Sequence, residues 1–227
     1  GEFAFDAETP AQVEEWQAAF RPRLRQALGL PAMAADLADH VPTAACRRTE
    51  QREGYIEEHW ELQVEPTVPL PFYVLRPDEL AAPVPLVITP HGHNVPGLYV
   101  GHAENEEQRR KIAEGDRDIA VQAVRQGYLA LAPTTRAFGA TRTAADRAEG
   151  RLCSCRTSLL HGLLVGRTAI GERVWDMARL LDWACDNLPV DAARVAITGN
   201  SGGGTVSVFA AACEPRIRLA VPSCYFC

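Results

Sequence analysis

The order of apolar and polar positions predicts a helix near the start of the chain. Thr9 and Pro10 stand where an N-cap and a first helical residue are favoured, and apolar residues then recur at three- and four-residue steps. The spacing predicts an amphipathic helix within an N-terminal helical segment, residues 1–40, with a candidate kink at Pro22. The apolar face of this helix comprises Val13, Trp16, Phe20, Leu24 and Leu28.

Two stretches with an alternating pattern follow, YIEEHWELQVEP (55–66) and PFYVLRP (71–77). The first places Ile56, Trp60, Leu62 and Val64 on one side of a strand, and the second has the pattern of its hairpin partner. An antiparallel hairpin is therefore expected before the main body of the fold.

From residue 84 onward, short continuous apolar runs alternate with segments of helical length. The runs VPLVITP (84–90), YLALAP (128–133) and RVAITG (194–199) are typical of strands buried on both faces, and RLAVPS (218–223) is predicted to be a fourth strand. Helices are predicted around 105–126, near 168–187 and over 202–212. Because parallel neighbours need a helix-length return path, this alternation predicts an α/β fold with a mostly parallel sheet.

Length and charge narrow the possible partners. A chain of 227 residues predicts a single domain, 1–227, and a net charge of −6 gives no reason to expect nucleic acid or an anionic membrane. No apolar run reaches the ~18 residues that a membrane helix requires. The opening GEF lacks a methionine and looks like a cloning remnant, so secreted and cytoplasmic locations both stay open.

Seven cysteines raise the question of a metal site. Cys185 and Cys213 lie in apolar helical contexts and are predicted to be small core residues. The remaining patterns are a C-x-C at 153–155 and a C-x-x-C at 224–227, whereas zinc sites normally combine two pairs of suitable spacing. Neither a metal nor another cofactor is expected.

The stretch GNSGG, 199–203, follows a predicted buried strand and opens a helix, which is the context of a G-x-S-x-G nucleophile turn. Such a turn lifts the Ser201 hydroxyl above the sheet, and its glycines keep side chains from colliding with neighbouring elements. The Gly202 amide, at a helix N-terminus, would stabilise a tetrahedral oxyanion. A phosphate-binding turn is the alternative, but neither a P-loop lysine nor G-x-G-x-x-G is present.

His91-Gly92-His93 directly follows the first buried strand. In serine hydrolases of this topology the second oxyanion donor comes from that loop, and Gly92 would let the His93 amide point at the site. Two alternatives remain open: a pair of ordinary loop histidines, or half of a metal site with His102.

Five motifs in order along the chain resemble the α/β-hydrolase superfamily, and more specifically its acetyl xylan esterase branch, related to dienelactone hydrolase-type enzymes. They are W..AFRPRLRQALGLP, PLVITPHGH, EGDRDIAVQAVRQGYLALAPTTRAFGATR, WDMARLLDWA and VAITGNSGGG. The resemblance implies ester hydrolysis through an acyl-enzyme, acting on a small-molecule or acetylated carbohydrate ester without a cofactor. Thr134-Thr135-Arg136 departs from the family, where many relatives carry an acid. An irregular stretch, 134–165, is expected to border the substrate pocket.

The base of the catalytic triad is missing from its expected place. In this superfamily the order is nucleophile, acid, histidine, yet all six histidines precede Ser201 and only Glu214 follows it as an acid. We expect the sheet to lack its last C-terminal strands and a further polypeptide to supply both residues. The alternatives are a non-catalytic α/β-hydrolase-like binding module, or a peptidase or thioesterase with the same nucleophile.

Overall fold

A computed structural model describes residues 3–80 and 83–224. The helices are α1 (Pro10–Ala27), α2 (Leu30–Asp36), α3 (Pro96–Tyr99), α4 (Glu106–Gly115), α5 (Ile119–Arg125), α6 (Ala144–Ala148), α7 (Cys155–Leu164), α8 (Ala169–Asn187) and α9 (Gly202–Cys213). The strands are β1 (Ala44–Arg52), β2 (Tyr55–Glu65), β3 (Val68–Pro77), β4 (Val84–Ile88), β5 (Leu129–Pro133), β6 (Val190–Asn200) and β7 (Leu219–Ser223).

The strands form one sheet in the order β1-β2-β3-β5-β4-β6-β7. Strands β5, β4, β6 and β7 pair in parallel, whereas β1, β2 and β3 form an antiparallel meander whose last strand lies antiparallel to β5. Ile88 on the central strand pairs with Leu131 on one side and Ile197 on the other. Five of the seven strands in the described residues thus run in one direction, which confirms the predicted α/β class and its mostly parallel sheet.

Hydrophobic layers cover both faces of the sheet, because successive side chains of a strand point to opposite faces. Leu86 and Ile88 belong to the layer under α8 and α9, and Val87 belongs to the layer under α3 and α5. The helix predicted near 168–187 is α8, and one of its faces packs on the sheet: Val174, Met177, Leu180, Leu181 and Ala184 are buried, and Ile170 packs beside them. No described helix has the length and apolar character to cross a bilayer.

The N-terminal helix begins as predicted. Thr9 accepts a hydrogen bond from the Gln12 amide, and the Gln12 side chain accepts one from the Thr9 amide, forming a capping box. The helix continues through Pro22 to Ala27. Arg21 and Arg25 donate to the backbone oxygens of Ala212 and Cys213, so α1 stabilises the C-terminal end of α9.

Three features differ from the sequence-based expectations. Strand β1 was not predicted, because its residues are mostly exposed at the sheet edge and lack an apolar alternation. The helix expected around 105–126 is two helices, separated at Asp116, which has the left-handed φ of 49°. The stretch 134–165 is not irregular throughout: it contains a 3-10 turn and the helices α6 and α7. Its Thr, Arg and Gly content concealed these short elements.

Candidate active site

Ser201 lies between β6 and α9 in a strained backbone conformation. Its φ of 57° and ψ of −121° belong to a region that residues with a Cβ rarely adopt. The Ser201 amide donates to the Ser223 carbonyl at 2.8 Å, and the Ser201 carbonyl accepts from the Thr205 amide at 3.1 Å. The turn is therefore held from both sides, by the end of β7 and by the first turn of α9.

Two glycines of this turn are required by the neighbouring loop. A Cβ on Gly203 would lie 2.0 Å from the Pro90 carbonyl oxygen, and one on Gly199 would lie 2.3 Å from the same atom. Real side chains cannot approach so closely, so each glycine allows the loop after β4 to pack directly on the turn. This agrees with the steric reason inferred for the G-x-S-x-G pattern.

The loop after β4 reaches the predicted nucleophile. A Cβ on Gly92 would lie 2.9 Å from the Gly202 nitrogen and 3.2 Å from the Ser201 Cβ. Ser201, Gly202 and the segment carrying His93 therefore meet at the carboxyl ends of β4 and β6, where sites in open parallel sheets gather. That the Gly202 and His93 amides receive an oxyanion stays a prediction.

His91 holds the base of this loop. Its ring is buried, Nε2 accepts from the Thr135 amide at 2.9 Å, and Nδ1 lies 2.8 Å from the Gly92 carbonyl oxygen. The Thr135 hydroxyl also donates to the His91 carbonyl at 2.7 Å. Burial lowers the pKa of His91 to about 4, so the ring is neutral at pH 7 and donates through Nδ1. Sequence reasoning treated this residue only as a loop histidine or a metal ligand.

A buried ionic cluster supports the segment that binds His91. The Arg136 guanidinium contacts Glu65 on β2 and Asp176 on α8, and Arg167 donates to Glu65 at 2.7 Å. Burial alone would raise the pKa of Glu65, but the two guanidinium groups outweigh it and hold the pKa below its usual value. Arg136 is therefore buried and paired with carboxylates directly after Thr135, while Arg151 and Arg156 in the same stretch are exposed.

No described histidine hydrogen-bonds the Ser201 hydroxyl. His102 bonds Glu57 at 3.0 Å and lies 3.1 Å from an Arg52 nitrogen, so the alternative of a metal site joining it to His91 and His93 is not formed. The remaining rings lie elsewhere: His40 against the Gln63 carbonyl, His59 against Tyr73, and His161 on α7. Glu214 pairs with Arg216 and is not free to orient a base.

Within the described ranges, one group of side chains has the composition of a metal site. It comprises His93, Cys153 and Cys155, whose ligand atoms all lie within 4.8 Å of one another. Cys185 and Cys213 lie apart from it, Cys213 being buried and Cys185 half-buried as core residues. Cys224 is exposed, and Cys227 lies outside the described residues.

Comparison with known proteins identifies similar chains. A sequence model described as "Abhydrolase family" matches residues 2–227. The Bacillus subtilis (strain 168) protein named "Putative hydrolase YtaP" is 26% identical over 195 residues, which are 83% of this chain and 60% of that protein. A Bacteroides fragilis structure titled a "putative acetyl xylan esterase" has a TM-score of 0.77 and 23% identity, covering 99% of this chain and 57% of that one.

Another similar structure is the acetyl xylan esterase from Paenibacillus sp. R4, with a TM-score of 0.59, 18% identity, and coverage of 97% of this chain and 61% of that chain. These two structures show a shared fold. The chain spans about 60% of the length of each of these three similar proteins.

Proposed function

Because this chain belongs to the Abhydrolase family, we propose that it is a serine-dependent carboxylic-ester hydrolase with Ser201 as its nucleophile. The observation that carries the proposal is the strained Ser201 conformation at the junction of β6 and α9, against which Gly92 packs. A backbone held at φ 57° and ψ −121° is costly and is commonly retained where it serves a site.

In the proposed reaction, Ser201 Oγ attacks the ester carbonyl carbon and its proton passes to a general base. The carbonyl oxygen becomes an oxyanion that accepts hydrogen bonds from the Gly202 and His93 amides, aided by the N-terminal end of α9. Collapse of the tetrahedral intermediate expels the alcohol, which takes the proton from the base and leaves an acyl-enzyme. Water activated by the same base then releases the acid.

We further propose that a polypeptide carrying a histidine and an acid completes the site beside β7. Leu219 and Val221 on this strand are 58% and 53% exposed, and no described strand pairs with its outer side. The strand ends next to the nucleophile, since the Ser223 carbonyl accepts from the Ser201 amide. A segment continuing the sheet there would cover apolar surface and bring a base to the hydroxyl.

For the substrate, we propose an acetyl ester of a carbohydrate. This rests on the titles of two similar folds, both acetyl xylan esterases by name. Small-molecule acetyl esters are suitable first probes, because the serine turn does not encode the alcohol. Comparing p-nitrophenyl acetate with longer acyl esters, anilides and thioesters separates esterase activity from the peptidase and thioesterase alternatives.

The experiment that tests the nucleophile is labelling with a fluorophosphonate probe in the natural protein that contains this sequence, followed by peptide mapping. We expect the label on Ser201 and its loss in Ser201→Ala. Ser223→Ala is the matched control, because its hydroxyl lies near the turn and, among the described residues, accepts from the Asn200 side-chain amide and donates to the Cys224 sulfur. A label on another residue that persists in Ser201→Ala would refute the proposal.

The second candidate function is a non-catalytic binding module with the same fold. The observation in its favour is that no described histidine bonds Ser201, because an unassisted serine hydroxyl is a poor nucleophile. An absence of labelling in the intact natural protein, together with no turnover of any ester in the panel, would favour this candidate over the esterase.

A further inference from the structure

The loop that carries His93 meets a second cysteine-containing segment on the side of Phe138. The His93 ring packs edge-on against the Phe138 ring with centroids 5.2 Å apart, and Phe138 forms an isolated β-bridge with Cys153. Cys155, two residues later, is the first residue of α7. As a result, one imidazole and two thiols lie within 4.8 Å of one another, a group called here the thiol–imidazole cluster.

The backbone around the two cysteines is fixed by hydrogen bonds. Ser154, between them, is buried; its amide donates to the Ala137 carbonyl at 2.8 Å, and its hydroxyl accepts from the Thr143 amide at 2.9 Å. Arg173 on α8 donates to the Cys155 sulfur at 3.3 Å. Both thiols are therefore presented in a defined arrangement next to His93, and neither forms a disulfide.

The chemistry of the three donor atoms determines which cation this cluster would bind. Two thiols and one imidazole are ligands that Zn²⁺ and other thiophilic cations prefer, whereas Mg²⁺ and Ca²⁺ require oxygen donors. Ligands on one tetrahedral zinc lie roughly 3.5 Å apart, as follows from bond lengths of about 2.0–2.3 Å. Because the three ligand atoms already lie within 4.8 Å of one another, a closure of at most about 1 Å by an exposed imidazole and two half-buried thiols would satisfy this spacing.

We propose that His93, Cys153 and Cys155 form a binding site for a thiophilic divalent cation, with Zn²⁺ as the expected occupant. Binding displaces the two thiol protons to solvent, so the cation is held by two thiolates and a neutral imidazole, with a fourth position open. Arg173 keeps its hydrogen bond to the Cys155 sulfur and orients that ligand from outside the coordination sphere. His93 would contribute its ring to this site and its backbone amide to the proposed oxyanion site, so zinc binding is measured separately from ester hydrolysis.

Zinc binding to the reduced protein, measured by titration calorimetry, tests this site. We expect one high-affinity Zn²⁺ per chain, with affinity reduced about tenfold or more in Cys153→Ser, in Cys155→Ser and in His93→Gln. Cys46→Ser and Cys224→Ser are the matched controls, because each removes an exposed free thiol that is not one of the three cluster ligands. These controls should retain the high-affinity event.

A second measurement needs no substitution and therefore does not depend on how the variants fold. Zn²⁺ should protect Cys153 and Cys155 from iodoacetamide, as mapped by mass spectrometry, while Cys46 stays reactive. Cd²⁺ added to the unsubstituted protein should produce a thiolate-to-metal absorption. Unchanged alkylation of Cys153 and Cys155 in saturating Zn²⁺ would overturn the proposal. High-affinity binding that is lost in Cys224→Ser but retained in Cys153→Ser and Cys155→Ser would also overturn it.

Discussion

The neutral, buried His91 makes a quantitative prediction about how acid destabilises the protein. In the unfolded chain this imidazole titrates near 6.5, whereas burial lowers its pKa in the fold to about 4. Between these values the unfolded state binds the proton and the folded state does not, so stability falls as the pH falls. Lowering the pH from 8 to 5 should remove about 2 kcal/mol of unfolding free energy through His91 alone, and the full loss approaches about 3 kcal/mol below pH 4.

The assay compares urea unfolding of the wild-type chain and His91→Gln at pH 8 and pH 5. Glutamine does not titrate, and its oxygen can still accept a hydrogen bond from the Thr135 amide. Because the other contacts of the ring are lost, the unfolding free energy of the variant at pH 8 should be lower by about 1–3 kcal/mol. From pH 8 to pH 5 the wild type should lose about 2 kcal/mol more than the variant. Other titrating groups, including the buried Glu65, are common to both proteins and cancel in this difference.

A clear result would refute the reasoning. If both proteins lose the same free energy between pH 8 and pH 5, His91 does not titrate differently in the two states and its burial does not determine its charge. A direct check is the titration of the His91 ring by NMR, where a midpoint near 6.5 instead of about 4 would contradict the hydrogen-bonding scheme.

The remaining predictions concern the turn and its supports. Ser201→Gly should be more stable than Ser201→Ala by about 1 kcal/mol in urea unfolding, because glycine accepts φ 57° without strain; equal stability would contradict the inferred strain. Gly203→Ala should cost about 3 kcal/mol or more, because its Cβ would meet the Pro90 oxygen, whereas the control Gly115→Ala, which has only side-chain neighbours, should change stability by about 1 kcal/mol at most. Asp176→Asn should lower the unfolding free energy by about 1.5–3 kcal/mol, because buried Arg136 loses one of its charged partners and keeps Glu65; a loss below about 1 kcal/mol would show that the Arg136–Asp176 contact is not a stabilising ion pair.

The main elements could be predicted where the spacing of apolar residues along the chain indicates which side of an element is buried. The strands β4, β5 and β6 and the helix α8 could be predicted because continuous or helically spaced apolar residues are needed wherever an element lies against the core. The apolar run of β7 also predicted a strand, although Leu219 and Val221 of that strand are exposed. Strand β1 escaped prediction because an exposed edge strand needs no apolar side. Helix α7 escaped because it is short, has exposed leucines, and follows a segment rich in turn-forming residues.

At the candidate site, too, features that depend on neighbouring residues could be predicted, and features that depend on contacts between distant segments could not. The sequence by itself identified Ser201 and the glycines of its turn, because a sharp strand-to-helix bend makes steric demands on neighbouring positions of the chain. Only the tertiary structure revealed that the buried His91 ring is uncharged and that the His93 side chain lies close to those of Cys153 and Cys155. Those properties depend on which distant segments pack together and exclude water, and local residue spacing does not determine that packing.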